Sequence, residues 1–374
     1  MTSKNFVSKV ITHPPKLVKI ANIEAELDLL WAQFNQKIND GQTVMRACMS
    51  NLIIYCDNAE ELQVISKEIT AIVDVHPARV LLLMGKGKPK TGNLDASVAI
   101  YYTPQPDGWQ VCGERIDVIA TEDSTERLPS VARSQLIGDL PTTLWWASRQ
   151  PPPEAKEVFF QLAKLANQII YDNMGWTNPA KAVAAMTRWV SAEQDVQIVY
   201  GLAWRRFSIW RKLIREVLDP QVAPDALANV RLIELDHGPH ALPMTWLLVG
   251  WLSSQLKWRA VEGKYISDSE SVWRFRHNHR DIKVIARRLP KGNPLIYRLL
   301  FDWDGEKGRT CFERLANERI GIIEALSTVP PRVFNAQTPN RATLVSAQLA
   351  HRDRDKVFEN AMKACNAMAD VFQK

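Results

Sequence analysis

Between residues 41 and 175, six apolar strand-like runs alternate with runs of helical period, and this alternation admits few architectures. The strands read ACMSNLIIYC, ARVLLLMG, SVAIYYT, WQVCGERIDVIA, TTLWWA and NQIIYD, with AEELQVISKEITAIV and EAKEVFFQLAKLA among the helical runs. Strands separated by helices predict a mostly parallel sheet covered by helices. VARSQLIGDLPTTLWWA (131–147) shows the pattern in small: a helix-like stretch stops at Gly138, Asp139-Leu140-Pro141 turns the chain, and an apolar strand ends in Trp145 and Trp146. Side chains alternate along a strand, so these two rings face opposite sides. One is expected to anchor the sheet to its helices, the other to pack at a domain junction or a partner surface. RQPPPEA (149–155) is expected to be a rigid extended connection, because each proline fixes its backbone.

A chain of 374 residues exceeds what one core usually supports, so more than one domain is expected. The expected division is a basic tail and helix over 1–40, an α/β domain over 41–175, and a Trp/Arg-rich α+β domain over 176–374 with antiparallel strands and a C-terminal helix. In the first segment, Ile23, Leu27, Leu30, Trp31 and Phe34 form one helical stripe. The last segment has a different chemistry. Eleven of the 13 tryptophans follow residue 140, and 271–298 carries eight Arg or Lys against one Asp in a chain whose net charge is +6. In VWRFRHNHR, period-two alternation puts Trp273 and Phe275 on one face and Arg274 and Arg276 on the other. LAWRRFSIWRKLIREVLD (202–219) reads as one helix with Trp204, Phe207 and Trp210 on its apolar stripe, flanked by Arg205, Arg206 and Arg211.

No run of 18 apolar residues is present, so no membrane span is expected. The first 20 residues hold four lysines and no acid but lack the apolar centre of a secretory signal, which predicts a cytoplasmic address. Five scattered cysteines (Cys48, Cys56, Cys112, Cys311, Cys365) make no disulfide framework. Cys48 and Cys56 lie in one strand-like run, about 26 Å apart at ~3.3 Å per residue, too far for a bond between them. GKGKPKTG (85–92) has a phosphate loop's composition but not its spacing. His277 and His279 would share a strand face, and His237 and His240 sit in DHGPH, yet neither pair brings a third metal ligand. GxSxG, HExxH and CxxC are all missing. No catalytic, cofactor or metal residue is expected.

Tryptophan and arginine dominate interface hot spots, so a chain rich in both and without an active-site signature reads as a binding module. SNLIIY (50–55), HPARV (76–80), DLPTTLWW (139–146) and LAWRRFSIWR (202–211), in this order, resemble the glucose-6-phosphate dehydrogenase assembly and effector family, OpcA, of cyanobacteria and actinobacteria. The last two motifs are the specific ones, and the resemblance covers roughly residues 45 to 330. It implies an accessory protein without catalysis of its own that binds glucose-6-phosphate dehydrogenase and raises its activity. The family's cyanobacterial members are linked to redox control, which implies thioredoxin as a second partner and makes the five cysteines redox candidates. On matched positions, Trp145, Trp146, Trp204, Arg205, Trp210 and Arg211 become candidates for a partner or inter-domain interface, beside Arg274 and Arg276. A competing reading is a sugar-phosphate or nucleotide enzyme using loop 85–92. A nucleic-acid site on WRFRHNHR is not expected, for want of a consensus.

Overall fold

Strands that are apolar from end to end are stable only where both faces are covered. In the computed structural model, residues 11–12, 14–37, 43–46, 48–90, 92–105, 108–174, 176, 178–192, 197–224, 226–303, 308–324 and 332–372 are described. Ten strands form one sheet: β1 (Ile11–Thr12), β2 (Lys16–Val18), β3 (Thr43–Arg46), β4 (Ser50–Cys56), β5 (Ala78–Met84), β6 (Leu94–Gln105), β7 (Gly108–Ala120), β8 (Thr142–Trp146), β9 (Gln168–Tyr171) and β10 (Ile198–Gly201). Their order is β1-β6-β7-β5-β4-β8-β9-β10, with β2 on β6 and β3 on β7. From β7 through β5, β4 and β8 to β9 the neighbours run parallel, and β6 is antiparallel to β7. Every residue of β4, β5, β8 and β9 is buried. The first half is the expected α/β arrangement.

The helices in chain order are α1 (Ile23–Lys37), α2 (Ala59–Val75), α3 (Leu128–Gln135), α4 (Glu157–Ala163), α5 (Pro179–Ala192), α6 (Leu202–Arg206), α7 (Ser208–Val217), α8 (Leu242–Leu256), α9 (Arg341–Leu349) and α10 (Lys356–Asp370). The contacts divide the chain into two compact units, each discontinuous in sequence. The first holds Met1–Asp172, Gln194–Tyr200 and Asn340–Asp353; the second holds Asn173–Glu193, Gly201–Pro339 and Arg354–Lys374.

In the first unit, α2 begins where the Asn58 side chain accepts the Glu61 amide at 2.7 Å, an N-cap. It buries Ile65, Ile69, Ile72 and Val73, a helical stripe against the sheet. A buried charge network joins β5 to β7: Arg79 of HPARV, 3% exposed, donates to Glu114, 0% exposed, at 2.9 Å, and Trp31 Nε1 donates to the same carboxylate at 2.7 Å. Glu24 closes it on the outer side, taking Arg79 Nη1 at 2.5 Å. The expected extended connection at RQPPPEA is instead a 3₁₀ turn over Pro152–Ala155. The fixed φ of proline suits the first turn of such a helix as well as an extended chain, so composition alone could not choose.

The second unit is built on an eight-stranded sheet of β11 (Val230–His237), β12 (Arg259–Ser267), β13 (Glu270–His277), β14 (Arg280–Arg288), β15 (Ile296–Trp303), β16 (Arg309–Leu315), β17 (Arg319–Glu324) and β18 (Arg332–Asn335), ordered β12-β13-β14-β11-β15-β16-β17-β18. Among the described residues its strand pairings are antiparallel except β11 with β14. This is the expected α+β half with its closing helix. Asn278 and His279 both have positive φ and form the two-residue turn between β13 and β14. His279 therefore lies in the turn, which corrects the expectation of a shared strand face with His277. The helix α8 is buried on nearly all sides and receives α10 so closely that a Cβ at Gly250 would overlap Cys365 Sγ and lie 2.7 Å from the Ala361 carbonyl oxygen.

Candidate functional site

The motif LAWRRFSIWR folds as two helices, not one. α6 ends at Arg206, and Phe207, with φ −97° and ψ 17°, turns the chain before α7 begins. The break lets the fully buried Phe207 ring meet Trp204 edge-on at 5.4 Å, so packing overrides a periodicity that reads as continuous. Trp204 is held on further sides: Nε1 donates to Asp355 Oδ2 at 2.8 Å, the Arg211 guanidinium lies 3.4 Å from the ring centroid, and Phe358 stands at 5.5 Å. Asp355 also caps α10 by accepting from the Val357 and Phe358 amides. Trp204 and Arg211 thus fix the start of the last helix.

Arg206, at the end of α6, lines a cleft of about 620 Å³ with Asn293, Tyr297, Arg314 and Glu318, and with apolar walls that include Pro294 and Leu315. Arg314 shares the inward parity of Thr310 and Phe312 on β16. Its Nε donates to the Ile296 carbonyl at 3.2 Å and its Nη1 to the Ala336 carbonyl at 3.3 Å. Its guanidinium stands 5.9 Å from the Trp210 ring centroid. Burial pulls the guanidinium below its ordinary range, against the through-space pull of Tyr297 and Glu318. The Tyr297 hydroxyl accepts the Asn293 amide at 2.8 Å. Gly292, φ +122°, makes room for it: a Cβ there would stand 2.6 Å from the hydroxyl oxygen. Two guanidiniums, a phenol and a carboxylate thus share one lining. Of its polar residues only Arg206 was singled out from sequence; for Arg314 the available signal was an arginine at an inward position of the alternating strand TCFERL.

The other candidates are dispersed. Trp145 and Trp146 are 0% and 1% exposed, on opposite faces of β8. Trp146 stacks on Tyr55 at 4.3 Å and meets Phe159 of α4 at 5.2 Å, while Arg341 of α9 lies 5.2 Å from the Trp145 centroid and is paired with Glu61 and Glu68 of α2. Each ring therefore joins the sheet to one helical layer. Trp210 is 1% exposed and Arg205 half-buried. Arg274 and Arg276 project from the open face of β13, but Arg274 pairs with Glu262 at 3.1 Å and Asp281 at 3.4 Å, and Arg276 with Asp281 at 2.9 Å. Hydrogen bonding from Arg276, foremost, holds the Asp281 carboxyl below the usual range. Farther along that face Glu234 takes Arg287 at 3.1 Å and Arg298 at 3.2 Å, so cross-strand acids consume much of the basic charge of 271–298.

Loop 85–92 is wired to its own unit. The Gly85 and Gly87 amides donate to the Cys56 and Ala120 carbonyls, the Lys86 amide to Thr125 Oγ1 and the Lys90 amide to Asp95. Those amides are spent, and a phosphate cradle would need them; Thr91 lies outside the described residues. Among the described residues no three His, Cys, Asp or Glu side chains gather as metal ligands. Cys56 and Cys365 are buried, and Cys48 and Cys311 half-buried; the Cys112 side chain lies outside the described residues. Burial pushes the Cys56 thiol up to about 12 and raises Cys365 and Cys311 too. The N-terminal basic tail also lies largely outside the described residues.

Two family models match the chain: the glucose-6-phosphate dehydrogenase subunit N-terminal domain over residues 69–188 and the C-terminal domain of the same subunit over 198–362. The chain is 26% identical over 219 residues to the OxPP cycle protein OpcA of Nostoc punctiforme, covering 57% of this chain and 45% of that protein. It is 29% identical over 319 residues to the OpcA of a Synechocystis strain, covering 80% and 65%. The chain thus spans about half to two thirds of the length of these relatives. Among solved structures it is similar to a levoglucosan dehydrogenase in complex with NADH and L-sorbose (12% identity, TM-score 0.47, 84% of this chain and 91% of that one). It is similar also to the transcriptional regulator Gal80p of Kluyveromyces lactis (8% identity, TM-score 0.49, 86% and 88%). No described helix is long and apolar enough to cross a membrane.

Proposed function

The chain belongs to the glucose-6-phosphate dehydrogenase subunit family, and we propose that it acts there as a non-catalytic cytoplasmic accessory protein that binds the enzyme and raises its substrate affinity. The supporting observation is the paired match of both family domains, in order. Such an effector must bind the enzyme's active form better than its inactive form, since equal affinity shifts nothing. A tenfold gain in substrate affinity requires about 1.4 kcal/mol of coupling, which one moderate interface supplies.

Of the residues expected at an interface the tryptophans are buried, and the reading favours Arg274 and Arg276, with side chains 40% and 44% exposed, as the partner contacts. Charges at such a rim act chiefly on encounter rate and its salt dependence. Redox control, with thioredoxin as reductant, would fall on Cys48 or Cys112, because thiols whose pKa is raised by burial form little thiolate. The test is to titrate this protein into the same organism's glucose-6-phosphate dehydrogenase at limiting glucose 6-phosphate, following NADPH. Saturable activation, with dithiothreitol dependence lost in Cys48→Ser or Cys112→Ser, is the expected result. An unchanged rate under both reducing and oxidising conditions overturns the reading.

A further inference from the structure

The cleft beside Arg206 holds the Arg314 guanidinium, which Glu318 of the same lining reaches only through space. Arg314 spends two of its donors on the Ile296 and Ala336 carbonyls, and no carboxylate among the described residues is in ion-pair contact with it. A guanidinium drawn away from water without a counter-ion is costly, and an incoming anion removes that cost. Tyr297 presents a second donor. Its oxygen already accepts the Asn293 amide, so the hydroxyl proton is left to give. Arg206 adds a second guanidinium to the same lining, and the exposed Glu318 offers an acceptor suited to a hydroxyl group. Pro294 and Leu315 supply apolar wall, and about 620 Å³ is room for a small metabolite.

We propose that this cleft binds a phosphate monoester of a small metabolite, its phosphate at Arg314, Arg206 and the Tyr297 hydroxyl, and its hydroxyl-bearing body toward Glu318. A phosphate monoester fits these donors better than a carboxylate. Its three terminal oxygens and near-double charge engage two guanidiniums and a phenol together, whereas a carboxylate offers two oxygens and a single charge to the same three groups. The inference stands apart from the effector reading, because it concerns this chain alone.

The test is calorimetric titration of the full chain, with no dehydrogenase present, using glucose 6-phosphate, AMP, gluconate and inorganic phosphate as probes. At least one monoester should bind with a Kd tighter than about 1 mM; glucose 6-phosphate against AMP tells a sugar body from a nucleoside. Arg206→Gln and Tyr297→Phe should each weaken binding severalfold, and Arg314→Gln should abolish it, while Lys67→Gln, exposed on α2 of the first unit, leaves it unchanged. If Arg314→Gln fails to fold by circular dichroism, Arg206→Gln and Tyr297→Phe decide alone. Three results overturn the proposal: no heat with any monoester, gluconate binding as tightly as glucose 6-phosphate, or affinity indifferent to both of those variants. Each leaves the enzyme-activation assay free to succeed or fail by itself.

Discussion

The two sheets solve the same problem in opposite ways. β4, β5, β8 and β9 are buried residue by residue, whereas β13 alternates buried positions with half-buried or exposed ones. A parallel sheet has helices on both faces, so polar groups enter it only as closed networks such as Arg79–Glu114–Trp31. An antiparallel sheet with one open face carries its charges there as cross-strand pairs, in water. The same residue types, Arg and Glu, are therefore costly to remove from one sheet and nearly neutral to remove singly from the other.

That contrast is most sharply broken by removing one buried partner. Glu114→Ala should cost about 3 kcal/mol in denaturant unfolding, because it leaves the buried Arg79 guanidinium with only the half-exposed Glu24 and removes the acceptor used by Trp31 Nε1; a loss below about 1 kcal/mol would mean that Glu24 alone, or water, satisfies Arg79. In the second unit the comparable weak point is a helix pair. Gly250→Ala forces α8 away from α10 and should cost about 1 to 3 kcal/mol, with Gly250→Ser no better.

A smaller effect depends on acid. His76 and His237 are buried, one in each unit, and burial, foremost, lowers the pKa of both rings. A group whose pKa is lower folded than unfolded contributes stability above its unfolded value, near 6.5, and loses it as pH falls toward the folded one. Unfolding midpoints should decline below about pH 6.5, and His237→Gln or His76→Gln should each flatten part of that decline. If neither does, carboxylates dominate acid unfolding. The smallest effect completes the comparison: Arg274→Gln, on the open face, should leave the unfolding midpoint where it was, as judged by thermal scans in low and high salt.

How far the sequence revealed this depends on which physical signal each part leaves. Alternation in VWRFRHNHR placed Trp273 and Phe275 inside and Arg274 and Arg276 outside, because burial on one face imposes period two. The acids Glu262 and Asp281 that neutralise those arginines come from other strands, so the reading of a free basic face needed the register to correct it. The break at Phe207 left no mark, since the apolar spacing runs unbroken through both helices. Proline composition likewise could not distinguish an extended connection from the 3₁₀ turn at Pro152. The cleft was least legible: Arg206 and Arg314 are 108 positions apart and meet only in the folded unit.

The interleaving of the two units has a consequence for how the chain is made. Trp145 receives Arg341 from α9, and that helix belongs to the unit whose main body closes at Asp172. A ribosome reaches residue 353 on the order of ten to thirty seconds after residue 172, at ordinary translation speeds. For that interval the nascent sheet lacks one of its covers, and the Trp145 face of β8 is the surface a chaperone would find.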